Sequence, residues 1–276
     1  MSHSLHALVR DLRLRRGRER RGLALAEGVR LVEEALAVRI PIRHVLASPA
    51  LAATPRGRAL QAALERGGHR PVVVAERVFD ELAATEHSQG VLAVVEPPHW
   101  RLQDIRVGPH APVLVLDAVQ DPGNVGTMVR TAFALGAAGV LALPGTAEVT
   151  NPKALRATMG GVFRLPYVSL DESALQAWAR GAGVRVLVAA ADGPPPERSR
   201  GTPLAVIVGN EGAGTRPSLA DWAEGQIGIP LREGAESLNV GVAAGILLYL
   251  VTPRRTSAPA GKGKRTNPAA WTEFVR

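Results

Sequence analysis

Apolar runs alternate with helical patterns along the second half of the chain. The runs that predict strands are rich in β-branched residues and occupy 113–119, 140–143, 184–190, 204–208 and 226–229. Segments with helical spacing lie between most of them, at 128–135, 153–159, 172–180 and 217–223, and a last apolar helix follows at Val240–Val251. Strands that are apolar throughout are buried on both faces, and their alternation with helices is typical of a mostly parallel sheet. The pattern predicts an α/β domain over residues 112–252.

The first half of the chain carries a weaker form of this alternation. Leu5, Leu8, Val9 and Leu12 recur at helical spacing among arginines, which predicts a basic amphipathic helix over residues 5–16. Further helices are predicted around 28–38 and 58–66, and short strands at 44–47, 71–75 and 91–95. We therefore expect a second, smaller α/β domain.

Turn-forming stretches divide the chain into five predicted units. They are a basic N-terminal helix or arm (1–22), the smaller domain (23–97), a linker (98–111), the larger α/β domain (112–252) and a basic tail (253–276). Pro, Gly, Ser and Ala dominate the tail, so we expect residues 253–270 to be disordered.

The positive charge is concentrated at the two ends. The net charge of the 276 residues is +8, yet residues 1–22 contribute +5 and residues 253–276 contribute another +5, which leaves −2 for the middle. Basic ends around a near-neutral body indicate a polyanionic partner such as RNA. The alternative is a general preference for arginine, since the chain has thirty Arg and three Lys.

Composition excludes several classes of protein. The absence of cysteine excludes disulfides and thiolate metal sites and favours a reducing, cytoplasmic location. The longest apolar stretch, residues 240–251, is too short to span a bilayer, and the basic N-terminus lacks the apolar core of a secretory signal. The seven histidines show no ligand spacing, so we expect neither a membrane anchor nor a metal site.

Glycine and polar residues follow three of the predicted strands, at 117–126, 209–214 and 229–241. In open α/β sheets, ligands bind beyond the carboxyl ends of the strands, so these loops are the candidate site. None of them has the glycine spacing of a phosphate-binding loop, which disfavours a nucleoside triphosphatase or a dinucleotide-dependent dehydrogenase. Ser237 has no nucleophile elbow around it and no histidine after it, which favours capping or ligand binding over nucleophilic catalysis.

Together, the three loops carry a recognisable set of motifs. The segments LDAVQDPGNVGTMVRTAFALGA, VGNEGAG and IPL…SLNVGVAAGILLY resemble the SpoU (TrmH-like) branch of the SPOUT RNA methyltransferases, across roughly residues 112–252. The N-terminal segments AEGVRLV and HSQGV resemble the substrate-binding domain that is fused to many members of that family. The two resemblances cover nearly all of the chain except its tail.

The resemblance implies a homodimer whose larger domain ends in a deep trefoil knot and binds S-adenosylmethionine. It also implies methyl transfer to a ribose 2′-hydroxyl of RNA. Gly209, Ile229 and Leu238 stand where the family contacts the cofactor. The polar site residues of the family correspond to Asn124, Arg130, Glu211, Ser237 and Asn239. One departure is visible, because Gly241 stands where the family usually has serine.

Physical chemistry narrows the expected role of Arg130. The family proposal makes this arginine the base, but a guanidinium stays protonated in proteins. We therefore expect Arg130 to stabilise the developing alkoxide and to orient an RNA phosphate. Asn124 alternatively caps a helix, and Glu211 alternatively fixes its loop by accepting backbone N–H bonds.

We expect 23S ribosomal RNA to be the substrate. The alternatives are a tRNA 2′-O-methyltransferase and a non-catalytic RNA-binding protein that keeps the fold. A base methyltransferase of the same superfamily fits the three motifs less well.

Overall fold

The computed structural model describes residues 2–85, 88–196, 201–235 and 237–252. The disorder predicted for 253–270, and His87 of the HSQGV segment, lie outside the described residues. The strands form two separate sheets, one of four strands and one of six.

The smaller sheet is built from the first hundred residues. Its strands are β1 (Ala24–Glu27), β2 (Ile42–Ala47), β3 (Val72–Val73) and β4 (Val91–Val95), in the order β1-β4-β2-β3. The strand β4 pairs antiparallel with β1 and β2, whereas β3 pairs parallel with β2. The accompanying helices are α1 (Ser2–Arg13), α2 (Arg15–Arg21), α3 (Val29–Ala37), α4 (Pro49–Ala53), α5 (Pro55–Arg66) and α6 (Glu76–Leu82).

The basic amphipathic helix predicted at the N-terminus is split in two. Leu14 has an extended backbone, so α1 ends before it and α2 begins after it. A Cβ on Gly17 would lie 2.0 Å from the backbone oxygen of Asp11, so only glycine allows the two helices to pack this closely. Leu5, Val9 and Leu12 are buried in the core of the smaller domain. The arginines of α1 and α2 are thus carried on helices that are anchored to the sheet.

The larger sheet confirms the predicted parallel architecture. Its strands are β5 (Val113–Leu116), β6 (Gly139–Ala142), β7 (Tyr167–Ser169), β8 (Arg185–Ala189), β9 (Leu204–Val208) and β10 (Gly225–Ile227). They lie in the order β10-β8-β9-β5-β6-β7, and all neighbouring pairs are parallel. The carboxyl ends of β5, β9 and β10 therefore lie at one edge of the sheet, and the three candidate loops start there.

Helices cover both faces of the larger sheet. One face packs against α7 (Pro122–Ala134), α8 (Pro152–Ala157) and α11 (Val240–Val251). The other face packs against α9 (Glu172–Ala182) and α10 (Pro217–Trp222). Alternate residues of β5 divide between these two cores, since Leu114 faces the first and Val115 the second.

Polar contacts join the two domains. Arg18 of α2 is buried and pairs with Glu148, which lies in the loop after β6. A second ion pair joins Glu34 of α3 to Arg164 at 3.0 Å. The first of these contacts places the N-terminal helices beside the carboxyl edge of the larger sheet.

Tight packing between α7 and α8 yields a stability prediction. A Cβ on Gly126 would lie 2.2 Å from the backbone oxygen of Ala154, so Gly126→Ala must push the two helices apart. We expect a loss of about 1–3 kcal/mol in the free energy of unfolding, the usual range for overpacking. Equilibrium unfolding in urea measures this loss. Gly181→Ala is the control, because nothing lies within 4 Å of its added Cβ in α9; it should be neutral or slightly stabilising. Equal losses in the two variants would contradict the packing argument.

Candidate functional site

The loops that follow β5 and β9 are held together by one side chain. Asn210 donates from Nδ2 to the backbone oxygen of Ala118 at 3.0 Å. Its Oδ1 accepts from the backbone N–H groups of Gly212 and Ala213, at 2.9 and 3.0 Å. Ala118 has a positive φ of 54°, which is unusual for a residue other than glycine and marks the loop as constrained by these contacts.

A buried ion pair fixes the root of the same two loops. Asp117 is only 1% exposed, and its carboxylate lies 2.5 Å from Nη2 of Arg216. The backbone N–H of Arg216 also donates to Asp117 Oδ2 at 2.9 Å. A buried carboxylate is tolerated when it is paired and hydrogen-bonded, so these contacts stabilise the ends of the β5 and β9 segments relative to each other.

The start of α7 is fixed by Asp121. The Oδ1 atom of Asp121 accepts from the backbone N–H of Asn124 at 2.9 Å, and Oδ2 lies 2.6 Å from Nζ of Lys153. Lys153 and the Asn124 N–H together hold the pKa of Asp121 below its ordinary value. Asp121 therefore stays ionised at neutral pH and caps the helix that carries Asn124.

Three of the predicted polar residues, one from each loop, form a hydrogen-bonded cluster. Asn124 donates from Nδ2 to Oε1 of Glu211 at 2.9 Å, and its Oδ1 accepts from Nδ2 of Asn239 at 3.1 Å. Asn239 also caps α11, because its Oδ1 accepts from the backbone N–H groups of Gly241 and Val242 at 2.9 and 3.2 Å. The amide of Asn124 is thus held from both sides, and the cluster faces solvent.

A cavity opens beside this cluster. Its wall consists mainly of apolar side chains and main chain from the ends of β8, β9 and β10 and the start of α11. The predicted residues in the wall are Gly209, Glu211, Ile229, Ser237 and Leu238, accompanied by Val208, Asn210, Gly228, Leu231, Val240 and Leu247.

The backbone at this cavity is packed too closely for most side chains. A Cβ on Gly209 would lie 2.2 Å from Thr215 N, and one on Gly228 would lie 2.4 Å from the backbone oxygen of Gly193. A narrow cavity with closely packed main chain and apolar walls suits the flat purine and ribose of S-adenosylmethionine. The residues present therefore fit the cofactor that the resemblance implies.

Arg130 is not brought into the cavity wall. It lies on the exposed surface of α7, six residues after Asn124, which is about 9 Å along the helix axis. Its Cα lies 3.5 Å from where a Cβ on Gly161 would be. The structure therefore joins Asn124, Glu211 and Asn239 directly and places Ser237 in the cavity wall, whereas Arg130 lies outside that wall, further along α7.

The departure at Gly241 lies next to the cluster. A Cβ at this position would lie 3.2 Å from Asn239 Oδ1 and 3.7 Å from Asn124 Oδ1. A side chain here would touch the cluster, but Asn239 still reaches Asn124 with glycine in place. The cluster is therefore assembled without the serine that the family usually carries.

Several residues that shape the site were not singled out from the sequence. Asn210 stood inside a quoted motif, and Asp117 followed a buried apolar run, so both had a signal as polar residues at a strand end. No sequence pattern pointed to Lys153, because its partner Asp121 is 32 positions away in the sequence. Such a pairing depends on how α8 packs beside α7.

No group of three or more His, Cys, Asp or Glu among the described residues is placed to hold a metal ion. None of the helices in the described part is both long enough and apolar enough to cross a membrane.

Comparison with known proteins gives consistent matches over both domains. The model of the SpoU rRNA Methylase family matches residues 111–249, and that of the MRM3-like substrate binding domain matches residues 8–93. The chain is 35% identical over 242 residues to the 23S rRNA (guanosine(2553)-2'-O)-methyltransferase RlmP of Bacillus subtilis (strain 168), covering 87% of this chain and 92% of that protein. It is 34% identical over 210 residues to the 23S rRNA (adenosine(1067)-2'-O)-methyltransferase of Streptomyces laurentii, covering 73% and 76% respectively.

A solved structure agrees with these matches. The AdoMet-bound rRNA methyltransferase from Sinorhizobium meliloti superposes with a TM-score of 0.78 at 30% identity, and the match covers 90% of this chain and 94% of that one. The family resemblance inferred from the three motifs is thus confirmed, and the chain belongs to the SpoU rRNA methylase family, with an MRM3-like substrate-binding domain before its methylase domain.

Proposed function

We propose that this protein is an S-adenosylmethionine-dependent methyltransferase that modifies a ribose 2′-hydroxyl of 23S ribosomal RNA. The observation that carries the proposal is the cluster of Asn124, Glu211 and Asn239 at the mouth of a cavity with a mainly apolar and main-chain wall. The relatives from Bacillus subtilis and Streptomyces laurentii are both named as 2'-O-methyltransferases of 23S rRNA. A ribosomal RNA substrate would be met in the cytoplasm.

Different residues of the cavity would bind different parts of the cofactor. The main chain around Gly209 and Ile229 would hold the adenine and ribose, and Leu238 would close the apolar wall. When bound, S-adenosylmethionine supplies a methyl group on a positively charged sulfur. The residues of this chain need only keep water out and present the attacking oxygen in line with that group.

The polar cluster would orient the ribose. Asn124 has its amide fixed by Glu211 and Asn239, so it can hold the 2′-hydroxyl without losing side-chain freedom on binding. The guanidinium of Arg130 would stabilise the negative charge that develops on the 2′-oxygen and contact a phosphate. Ser237 lies in the cavity wall and would contact the substrate from the side of α11.

The smaller domain and the basic helices would bind the RNA. The arginines on α1 and α2 are held on a packed scaffold, which favours phosphate contacts of defined geometry. Of the two relatives described above, one modifies a guanosine and the other an adenosine. The shared chemistry is therefore at the ribose. The alternatives are a tRNA substrate and a non-catalytic RNA-binding role. Single-turnover methyl transfer distinguishes both of them from the proposed function.

We also propose that the chain is knotted around the cofactor cavity. The loop after β8 touches the segment that follows β10: the N–H of Gly228 donates to the backbone oxygen of Pro194 at 2.8 Å. Gly193 and Gly228 approach so closely that neither has room for a Cβ. In a trefoil knot, the C-terminal segment passes through a loop of the chain. Here the segment after β10 would pass under the loop after β8 and then form α11 against α7.

A homodimer through α7 and α11 completes the proposal. Phe133, Val242 and Tyr249 are 43%, 51% and 53% exposed on these two adjacent helices. Exposed large apolar side chains that are grouped together favour a protein interface. The Arg130 surface of α7 lies on a neighbouring part of the same helix, so the interface would form next to the RNA site.

The reaction is tested with single-turnover methyl transfer to ribosomal RNA isolated from a deletion strain. We expect the wild type to add a labelled methyl group that maps to a ribose 2′-oxygen. Arg130→Lys and Arg130→Ala should lower the rate on the order of a hundredfold with unchanged cofactor affinity, because a transition-state contact is lost. Arg180→Ala, on α9 at the opposite face of the sheet, is the control. Label on a base, or on tRNA alone, would overturn the assigned substrate, and normal rates in both Arg130 variants would remove Arg130 from the site.

The cofactor site is tested with two glycines of one loop. Gly209→Ala places a Cβ against the backbone of Gly214 and Thr215, whereas Gly212→Ala meets only Asn210 Oδ1, at 3.6 Å. Strain of about 1–3 kcal/mol predicts that Gly209→Ala raises the Kd for S-adenosylmethionine about five- to a hundredfold. Calorimetric titration should find Gly212→Ala within about twofold of the wild type. A normal Kd for Gly209→Ala would mean that the cofactor binds elsewhere.

The dimer is tested by light scattering. The wild type should scatter with twice the chain mass of 29.0 kDa at micromolar concentration. Tyr249→Glu buries a charge in the proposed interface and should shift the mass to one chain. Val73→Glu is the control, since Val73 is 65% exposed on the smaller domain. A monomeric wild type, or a dimer that Tyr249→Glu leaves intact, would contradict the proposed interface.

A further inference from the structure

A second cavity lies at the carboxyl edge of the larger sheet, beyond β6 and β7. It has a volume of about 570 Å³, within the range of small-ligand sites. The side chains that line it include Arg15, Gln120, Thr146, Glu148, Tyr167 and Ser169. Arg15 belongs to α2, so this cavity is built by both domains.

One loop separates this cavity from the cofactor cavity. On one side of the loop, Ala118 accepts the hydrogen bond from Asn210. On the other side, the backbone oxygen of Val119 accepts from the N–H of Ala147 at 2.9 Å. Gln120 is exposed on the same loop, four residues before Asn124, and four residues span at most about 13 Å. RNA whose ribose reaches Asn124 therefore has its next nucleotide within reach of this cavity.

The charge of the cavity suits a phosphate. Glu148 is neutralised by Arg18, whose guanidinium is only 4% exposed and also donates to the backbone oxygens of Leu12 and Arg13. Arg15 is 70% exposed, with Nε 2.8 Å from Glu19 and 3.7 Å from Glu148. The exposed, planar guanidinium of Arg15 can bind a phosphate in a bidentate manner.

The other lining groups suit a nucleoside. Gln120 offers an amide that both donates and accepts, which is how glutamine reads a base edge. Tyr167 is part of the wall, and its burial raises its pKa, so this side of the cavity is neutral. Single-stranded RNA is recognised by this combination of an aromatic or guanidinium plane and a hydrogen-bonding side chain.

We infer that this cavity binds the nucleotide adjacent to the methylated one, with Arg15 on its phosphate and Gln120 on its base. The inference rests on the proposed function and deepens it by assigning part of the choice of target. One relative is named for a guanosine and another for an adenosine, so the target differs among these proteins while ribose 2′-O-methylation is common to both. Gln120 and Arg15 lie beside that cluster without belonging to it.

The experiment compares Arg15→Ala with Arg16→Ala. Both residues are exposed arginines of α2, but only Arg15 lines the cavity. The probe is an unmodified 23S rRNA transcript, and its Kd is measured over a series of salt concentrations. A lost bidentate contact of about 1–3 kcal/mol predicts that Arg15→Ala raises the Kd about five- to a hundredfold. Arg16→Ala removes the same charge from the same basic helix but not from the cavity, so it should raise the Kd clearly less. Arg15→Lys should recover part of the affinity, since the charge remains.

Gln120→Ala tests the second half of the inference from the other domain. For the wild type, kcat/KM should fall when the base next to the methylated nucleotide is replaced, and in Gln120→Ala that dependence should disappear. The Kd for S-adenosylmethionine should stay within twofold of the wild type in every variant, which also reports on folding.

Equal effects of Arg15→Ala and Arg16→Ala on RNA binding would overturn the assignment of Arg15. An unchanged base dependence in Gln120→Ala would overturn that of Gln120. A wild type that binds the transcript but transfers no methyl group would overturn the proposed reaction instead, and the comparison of the two arginine variants by Kd would still test the cavity.

Discussion

The buried carboxylate of Asp117, at the end of the central strand β5, is the constraint on which the site depends. A carboxyl group that is 1% exposed needs a polar partner, and the partner of Asp117 is Arg216, in the loop after β9. The pair therefore forces the first two motif loops to lie side by side. Asn210 then closes the gap between them by bonding to Ala118, and the position of Glu211 beside Asn124 follows from that closure.

Close approach of the main chain gives the cofactor cavity its character. At Gly209, Gly193 and Gly228 the backbone passes so near to other backbone that a methyl group would not fit. Glycine loses more conformational entropy on folding than any other residue. Its use at these positions therefore lowers stability but allows the close approach of the backbone. The shape of the cavity wall is therefore fixed before the ligand arrives. Asn239 adds to this preorganisation, because one amide both caps α11 and holds Asn124.

Short sequence patterns predicted most of the strands of the larger sheet, but not the contacts between residues that are far apart in the sequence. The strands β5, β6, β8 and β9 are buried apolar runs, and the parallel sheet followed from their alternation with helices. The strand β7 was missed because Tyr167–Ser169 is short and partly exposed, and β1 because Ala24–Glu27 is too short and alanine-rich to show a strand pattern. Asn124, Glu211 and Asn239 stood in motifs, so their types could be predicted. The hydrogen bonds between these three side chains could not be predicted, because they join residues that are 87 and 115 positions apart in the sequence.

The contact between Arg18 and Glu148 links the two halves of the proposed function. Most surface ion pairs add little, since solvent screens them and two side chains lose freedom. This one differs because the guanidinium is buried and also donates to the carbonyl oxygens at the end of α1, so its geometry is determined by three partners. Removing Glu148 would leave a buried cation. The pair thus keeps the basic helices in one orientation beside the carboxyl edge of the sheet, and an RNA strand that binds those helices is delivered to the loop that carries Gln120 and Asn124.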